Sequence, residues 1–170
     1  MKKVFFLILN LGIFCLMNAN AQNEKFKALF MYNFTKYIEW PAGERQGDFV
    51  IGVLGNSPLI KELETIAGKQ KVGLQNIVVK TFSSVDEINS CHILYIPQGK
   101  SNQITLILSK LSGKSTLLIT DKEGLALQGS GINFISDGDK LKYEVNRVNI
   151  EKKGLTVSNA LLALGIVITN

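Results

Sequence analysis

Three short stretches of the chain hold the residue types that perform chemistry elsewhere, and their spacing decides what each can do. His92 is the sole histidine in 170 residues. A Ser-His-Asp or Cys-His arrangement would have to use it. Cys91 is its neighbour, but successive side chains on a strand point to opposite faces, so the two do not pair within a regular strand. A metal site lacks a second histidine and, beyond Cys91 and Cys15, any further thiol. His92 therefore reads as a hydrogen-bonded strand residue. Gly113-Lys114-Ser115 has the ending of a phosphate-binding loop. That loop needs a glycine where Leu108 stands, a strand before it and a helix after it. Here a helical pattern precedes and a strand pattern follows, so the triplet reads as a helix-to-strand turn. Gly52-Val53-Leu54-Gly55 ends a strand before a helix, a crest whose backbone N–H groups suit a small ligand. Pro58 stands where a dinucleotide fingerprint would place its third glycine. The acid pairs Asp121/Glu123 and Asp137/Asp139 fall in turns, and nothing sets two carboxylates across a cleft. No catalytic residue, metal or cofactor is expected.

Asn33 on an apolar helix, and Asn133 and Asn146 in strand patterns, form a different class. Buried amides cost desolvation unless they are hydrogen-bonded. Two readings stand side by side: they tie the first helix and a hairpin together through backbone groups, or they line a ligand crevice.

The elements that must position these residues follow from periodicity. Phe26, Phe30, Phe34 and Ile38 recur at helical spacing, predicting a helix over 24–40 that Pro41 stops. Six of the eleven aromatics in residues 22–170 fall on that segment. Its aromatic surface is wider than one stripe, which predicts a second contact face for a dimer partner or a client. Strands are predicted at 48–54, 75–82, 91–96 and 115–120, with helices at 58–67 and 102–111 and a helical turn near 85–88. Ser101 or Asn102 is the expected cap of the second of these helices. Strands that are continuous apolar runs, alternating with helices, predict a layered α/β fold. Its sheet is mostly parallel and flanked by helices, a truncated Rossmann-like arrangement. Asp137-Gly138 between two alternating runs predicts a β-hairpin near residues 131–146. A short helix over 147–153 closed by Gly154 and a last apolar helix over 157–168 complete the chain.

Composition places the molecule. Lys2 and Lys3, the apolar run Val4–Met17 and the small-x-small triplet Ala19-Asn20-Ala21 read as a secretory signal over residues 1–21, cut before Gln22. The remainder, 22–170, is expected to be one domain, exported and not membrane-spanning. Loss of the two leader lysines lowers the formal charge from +5 for the whole chain to +3. The charges are spread out, with no basic run suited to nucleic acid. Cys15 leaves with the leader, so Cys91 has no intramolecular partner and reads as a buried thiol.

Several blocks, in order, resemble the YfiR/HmsC-like family. They are Lys27-Ala28-Leu29-Phe30-Met31-Tyr32-Asn33-Phe34-Thr35-Lys36-Tyr37-Ile38-Glu39-Trp40-Pro41, Phe49 to Gly55, Cys91 to Ile96, Leu117 to Gly124, Gly129 to Phe134, Tyr143-Glu144-Val145-Asn146, and Leu155 to Leu164. The resemblance implies a non-catalytic periplasmic regulator that tends to dimerise. Such proteins bind the periplasmic domain of an inner-membrane signalling protein, a diguanylate cyclase, and restrain it, limiting cyclic-di-GMP and biofilm formation. Better-studied members carry more cysteines and a disulfide that supports redox control, and the lone Cys91 does not carry that switch over. On this reading Tyr32, Lys36 and Trp40 are the expected partner contacts. The alternative is a periplasmic small-ligand-binding or sensor protein, with Gly55, Asn56 and Asp121 as the crevice.

Overall fold

A computed structural model describes residues 22–138 and 140–169, and the expected leader lies outside them. Five strands run in the same direction at the centre of the sheet: β2 (Phe49–Leu54), β4 (Gln75–Phe82), β5 (Ile93–Ile96), β6 (Leu117–Thr120) and β7 (Ile132–Asp137). The hairpin partner β8 (Lys140–Val145) joins β7 antiparallel. Short strands β3 (Lys71–Val72) and β10 (Ile166–Val167) close the two edges. The order across the eight strands is β10-β8-β7-β6-β5-β2-β4-β3. The mostly parallel α/β sheet and the hairpin near 131–146 are thus as expected.

Why the central strands are apolar without alternation is plain from their two faces. Ile93 and Tyr95 of β5, with Ile51, Val53 and Ile119, join a core under α1 (residues 22–34) and α2 (Leu59–Ala67). Leu94 and Ile96, with Leu54 and Leu118, join a second core under α3 (Ile104–Lys110). A strand buried on both sides needs apolar residues at both parities. On the hairpin the pattern loosens: Lys140 and Lys142 are exposed while Tyr143 and Val145 are buried.

Three element boundaries differ from the expectation. The first helix ends at residue 34, not 40. Three successive i→i+3 bonds tighten the chain there, Thr35 N to Tyr32 O, Lys36 N to Asn33 O and Tyr37 N to Phe34 O. The Thr35 hydroxyl also donates to the Tyr32 carbonyl at 2.6 Å, competing with helical bonding. Ile38 and Glu39 then form β1, which pairs antiparallel with β9 (Thr156–Val157). The last apolar run is not one helix either. Ser158 caps α5 (Asn159–Leu164), accepting from Leu161 N, and Gly165 releases the chain into β10. Gly165 is needed there, since an added Cβ would lie 2.6 Å from the Tyr143 ring. Ahead of α3 the expected side-chain cap is replaced by a 3-10 turn over Gln98–Gln103. Near 85–88 the expected turn is present, closed by a bond from Ile88 N to Val85 O at 3.1 Å.

Candidate functional site

The sheet places its chemistry-bearing residues at two ends. At the amino end of β5, Cys91 faces the core under α3 and His92 faces the other side, against Phe49 at 4.4 Å between ring centroids. The His92 ring is fully engaged. Its Nδ1 accepts from Val50 N at 3.0 Å and its Nε2 meets the Glu44 carbonyl at 2.8 Å, which fixes a neutral tautomer protonated at Nε2. Burial pushes the Cys91 thiol up to about 12, so it is not a thiolate nucleophile near neutrality. Gly113 occupies a turn of positive φ after α3, the helix-to-strand connection expected of the Gly-Lys-Ser triplet.

The carboxyl end of the sheet carries a buried polar network. Asp121, just past β6, accepts from the Tyr95 hydroxyl on β5 and from the Lys27 ammonium on α1 at 3.1 Å. Lys27 also donates to Glu24 one turn earlier at 2.8 Å. The hydrogen bond to Glu24 and the charges of Asp121 and Glu24 outweigh desolvation of Lys27, so its ammonium titrates above the usual range. Burial, reinforced by the Asp121 charge, raises the Tyr95 phenol far above its usual range. A second chain of bonds runs beside this one. The Thr120 hydroxyl bonds Asn133 Oδ1 at 2.7 Å, and Asn133 Nδ2 donates to Glu144 Oε2 at 2.8 Å. Over these networks opens a crevice of about 540 Å³, walled by Glu24, Lys27, Asp121, Phe134, Leu141 and Glu144 among others.

Of the residues expected to line a crevice, the structure keeps Asp121 and sets the other two apart. Gly55 adopts φ 76° and is covered by Lys100, whose Cε would lie 2.9 Å from an added Cβ. Asn56 is exposed, and neither residue lines the crevice. Asn133 and Asn146 are fully buried and satisfied. Asn146 caps α4 (Arg147–Glu151) and its Nδ2 donates to Ala126 O at 2.9 Å. Asn33 is a correction: it is only half-buried and accepts from Lys36 Nζ at 3.0 Å, because the helix turns this position away from the sheet.

The expected partner contacts divide as well. Tyr32 and Lys36 sit together at the outer face, the ammonium 4.7 Å from the ring centroid, and Tyr32 donates to Gln70 at 3.0 Å. Beside them Leu29, Ile66 and Gln70 shape a groove of about 310 Å³ between α1 and α2. Trp40 is not a surface anchor. It is 5% exposed, packs edge-on against Phe49 and donates its indole N–H to the His92 carbonyl. Once the helix stops at residue 34, the chain reverses and turns Trp40 inward.

Glu24, Lys27, Tyr95 and Glu144 were missed by sequence reasoning. A signal existed for one of them: Lys27 shares a helical stripe with Met31 and Phe34, both buried. A charge on a buried stripe needs a partner.

These features define an α/β protein whose parallel sheet carries a polar crevice at its carboxyl ends and whose first helix presents an aromatic outer face. The chain belongs to the YfiR/HmsC-like family, whose profile matches residues 24–166. That family is one of periplasmic regulators and is regulatory rather than catalytic. No curated protein matches the chain. Among the described residues, no helix is long and apolar enough to cross a membrane.

Proposed function

We propose that the protein is a periplasmic regulator, exported by the leader over residues 1–21, that binds the periplasmic domain of an inner-membrane signalling protein and holds it inactive. A diguanylate cyclase is the client we favour, with cyclic-di-GMP output and biofilm formation as the downstream readouts. The observation that carries this reading is the family match over residues 24–166. The surface of α1 supports it: Leu29, 40% exposed, lines one groove with Tyr32, and Phe26, 44% exposed, opens with Phe30 onto a second beside the hairpin. Large apolar side chains left exposed in this way mark a contact surface. Restraint works by differential binding: the regulator favours the client's inactive conformation by as much as it binds that state more tightly. A homodimer is part of the proposal, formed through the same surplus of apolar surface.

The test is affinity co-purification of the protein from cross-linked envelopes of its own host. Recovery of an inner-membrane protein with a cytoplasmic cyclase or kinase domain is the expected result. A clean, well-expressed preparation that returns only the bait would overturn the reading.

A further inference from the structure

The crevice at the carboxyl ends of β5, β6 and β7 is left with an unfilled chemical demand. Lys27 offers one ammonium to two carboxylates, Glu24 at 2.8 Å and Asp121 at 3.1 Å. Each carboxylate keeps a second oxygen, Oε2 of Glu24 and Oδ1 of Asp121, that is buried and meets no donor among the described residues. Buried acceptors without donors are rare in native proteins, and a ligand that brings N–H groups relieves them. The space is present, about 540 Å³ and open to one side. Its wall carries four carboxylates, Glu24, Asp121, Glu123 and Glu144, against Lys27 and Lys122, a surplus of two negative charges. Phe134, Ile135 and Leu141 give it an apolar flank. Clefts outside the carboxyl ends of parallel strands are the usual ligand sites of open α/β sheets.

We propose that this crevice binds a small organic amine, whose protonated nitrogen is held by the Glu24 and Asp121 carboxylates once a side-chain rotation turns their donorless oxygens into the cleft, and whose carbon chain lies along Phe134 and Leu141. The chemistry separates this ligand from its rivals. An anion would meet the surplus negative charge. A bare divalent metal wants several converging side-chain ligands, and among the described residues no three His, Cys, Asp or Glu side chains come together to hold one. A neutral polyol brings hydrogen-bond donors but leaves the charge unbalanced. Bound there, an amine would tie the first turn of α1 to the end of β6. Tyr32 lies further along that helix and Lys36 in the turn just after it, so ligand and client would act on one stretch of chain. The site itself does not depend on the regulator reading.

The purified chain would be titrated with putrescine, with the uncharged 1,4-butanediol and with calcium chloride, following heat of binding and thermal midpoint. Putrescine binds and raises the midpoint; the other two do neither. Glu24→Gln weakens putrescine binding by about tenfold or more. Ser136→Trp, at the exposed rim and clear of both ion pairs, weakens it similarly by filling the mouth. No putrescine binding overturns the proposal. So does an equal response to butanediol, tighter binding of calcium, or full affinity in the Ser136→Trp protein, which also decides the matter if Glu24→Gln does not fold. Capture of a client by a chain that ignores putrescine would sink this inference and leave the regulator standing.

Discussion

Asn146 has no exposed surface, and both ends of its amide are committed: Oδ1 accepts from Asn149 N at 3.1 Å and Nδ2 donates to Ala126 O. Asn149 reaches the same carbonyl and that of Ser130, so two asparagines clamp the loop between β6 and β7 onto α4. Asn146→Ala removes a helix cap and a buried bond together, and should cost about 2–3 kcal/mol in urea unfolding. A loss within experimental error would show that the clamp holds nothing. Titration offers a second test at this scale. The folded Cys91 thiol releases its proton at about 12 against an ordinary 9.0, so the unfolded chain loses that proton first. The stability this contributes is whole below about pH 9 and drains as pH rises toward 12. Lys27, Tyr95 and Tyr143 are raised as well and act with the same sign at higher pH, while Lys153 is lowered by burial and acts oppositely. Unfolding free energy should therefore fall from pH 9 upward, and Cys91→Ala should flatten the first part of that fall. An unchanged slope in the variant would assign the alkaline loss elsewhere. The split between legible and illegible residues follows from distance in the chain. His92 and Cys91 were readable because strand parity alone puts them on opposite faces. The Glu24–Lys27–Asp121 contact was not, because it joins residues 94 positions apart and no local pattern encodes that separation.

Elements were read best where burial is two-sided. The strands at 49–54, 93–96 and 117–120 are apolar runs bounded by glycine, proline or polar turns, and 75–82 holds the β-branched stretch Ile77-Val78-Val79, so their existence followed directly. The helix over residues 22–34 was recognised but drawn too long, because Ile38 continues its apolar spacing while belonging to a strand. Periodicity does not distinguish a helix that continues from one that hands its stripe to an extended segment. The same ambiguity merged α5 with β9 and β10. One strand position makes a sharp prediction. A Cβ on Gly52 would lie 2.6 Å from a Phe82 ring carbon and 3.2 Å from Leu94 Cδ1, since the Phe82 ring of β4 rests directly on β2. Gly52→Ala should destabilise the fold by about 1–3 kcal/mol through overpacking, read by chemical denaturation. A neutral result would mean that the ring swings aside at no cost.

At the scale of the molecule, the layered α/β class was legible because strands and helices alternate through the first two thirds of the chain. What the alternation hides is which part of the carboxyl edge stays open, since turn residues follow each of these parallel strands. Gly55 and Asn56 belong to the crest nearest the topological switch between β2 and β5, yet Lys100 fills it. The open crevice lies further along, where α1 crosses the ends of β6 and β7. The client-binding proposal also makes a whole-molecule prediction. Tyr32→Ala combined with Lys36→Glu should leave unfolding free energy within about 1 kcal/mol of the parent, because both groups are partly exposed. Client capture should weaken by about tenfold, as expected for loss of an interfacial tyrosine. Equal capture by the variant would move the contact surface off α1.

The pairing of β1 with β9 has a temporal side. Phe30 and Phe34 pack on Phe134 and Tyr143, and Ile38 pairs with Val157, so the aromatic stripe of the first described helix finds its ring partners only in the last forty or so residues. A chain that emerges from its amino end presents this stripe without its ring partners for most of its own synthesis. Contacts of such sequence separation close late, and apolar segments that wait for them are the ones that self-associate. Truncation before Val157 should therefore yield a product that aggregates, not a smaller folded core, and a holding chaperone has its natural handle on residues 26–34.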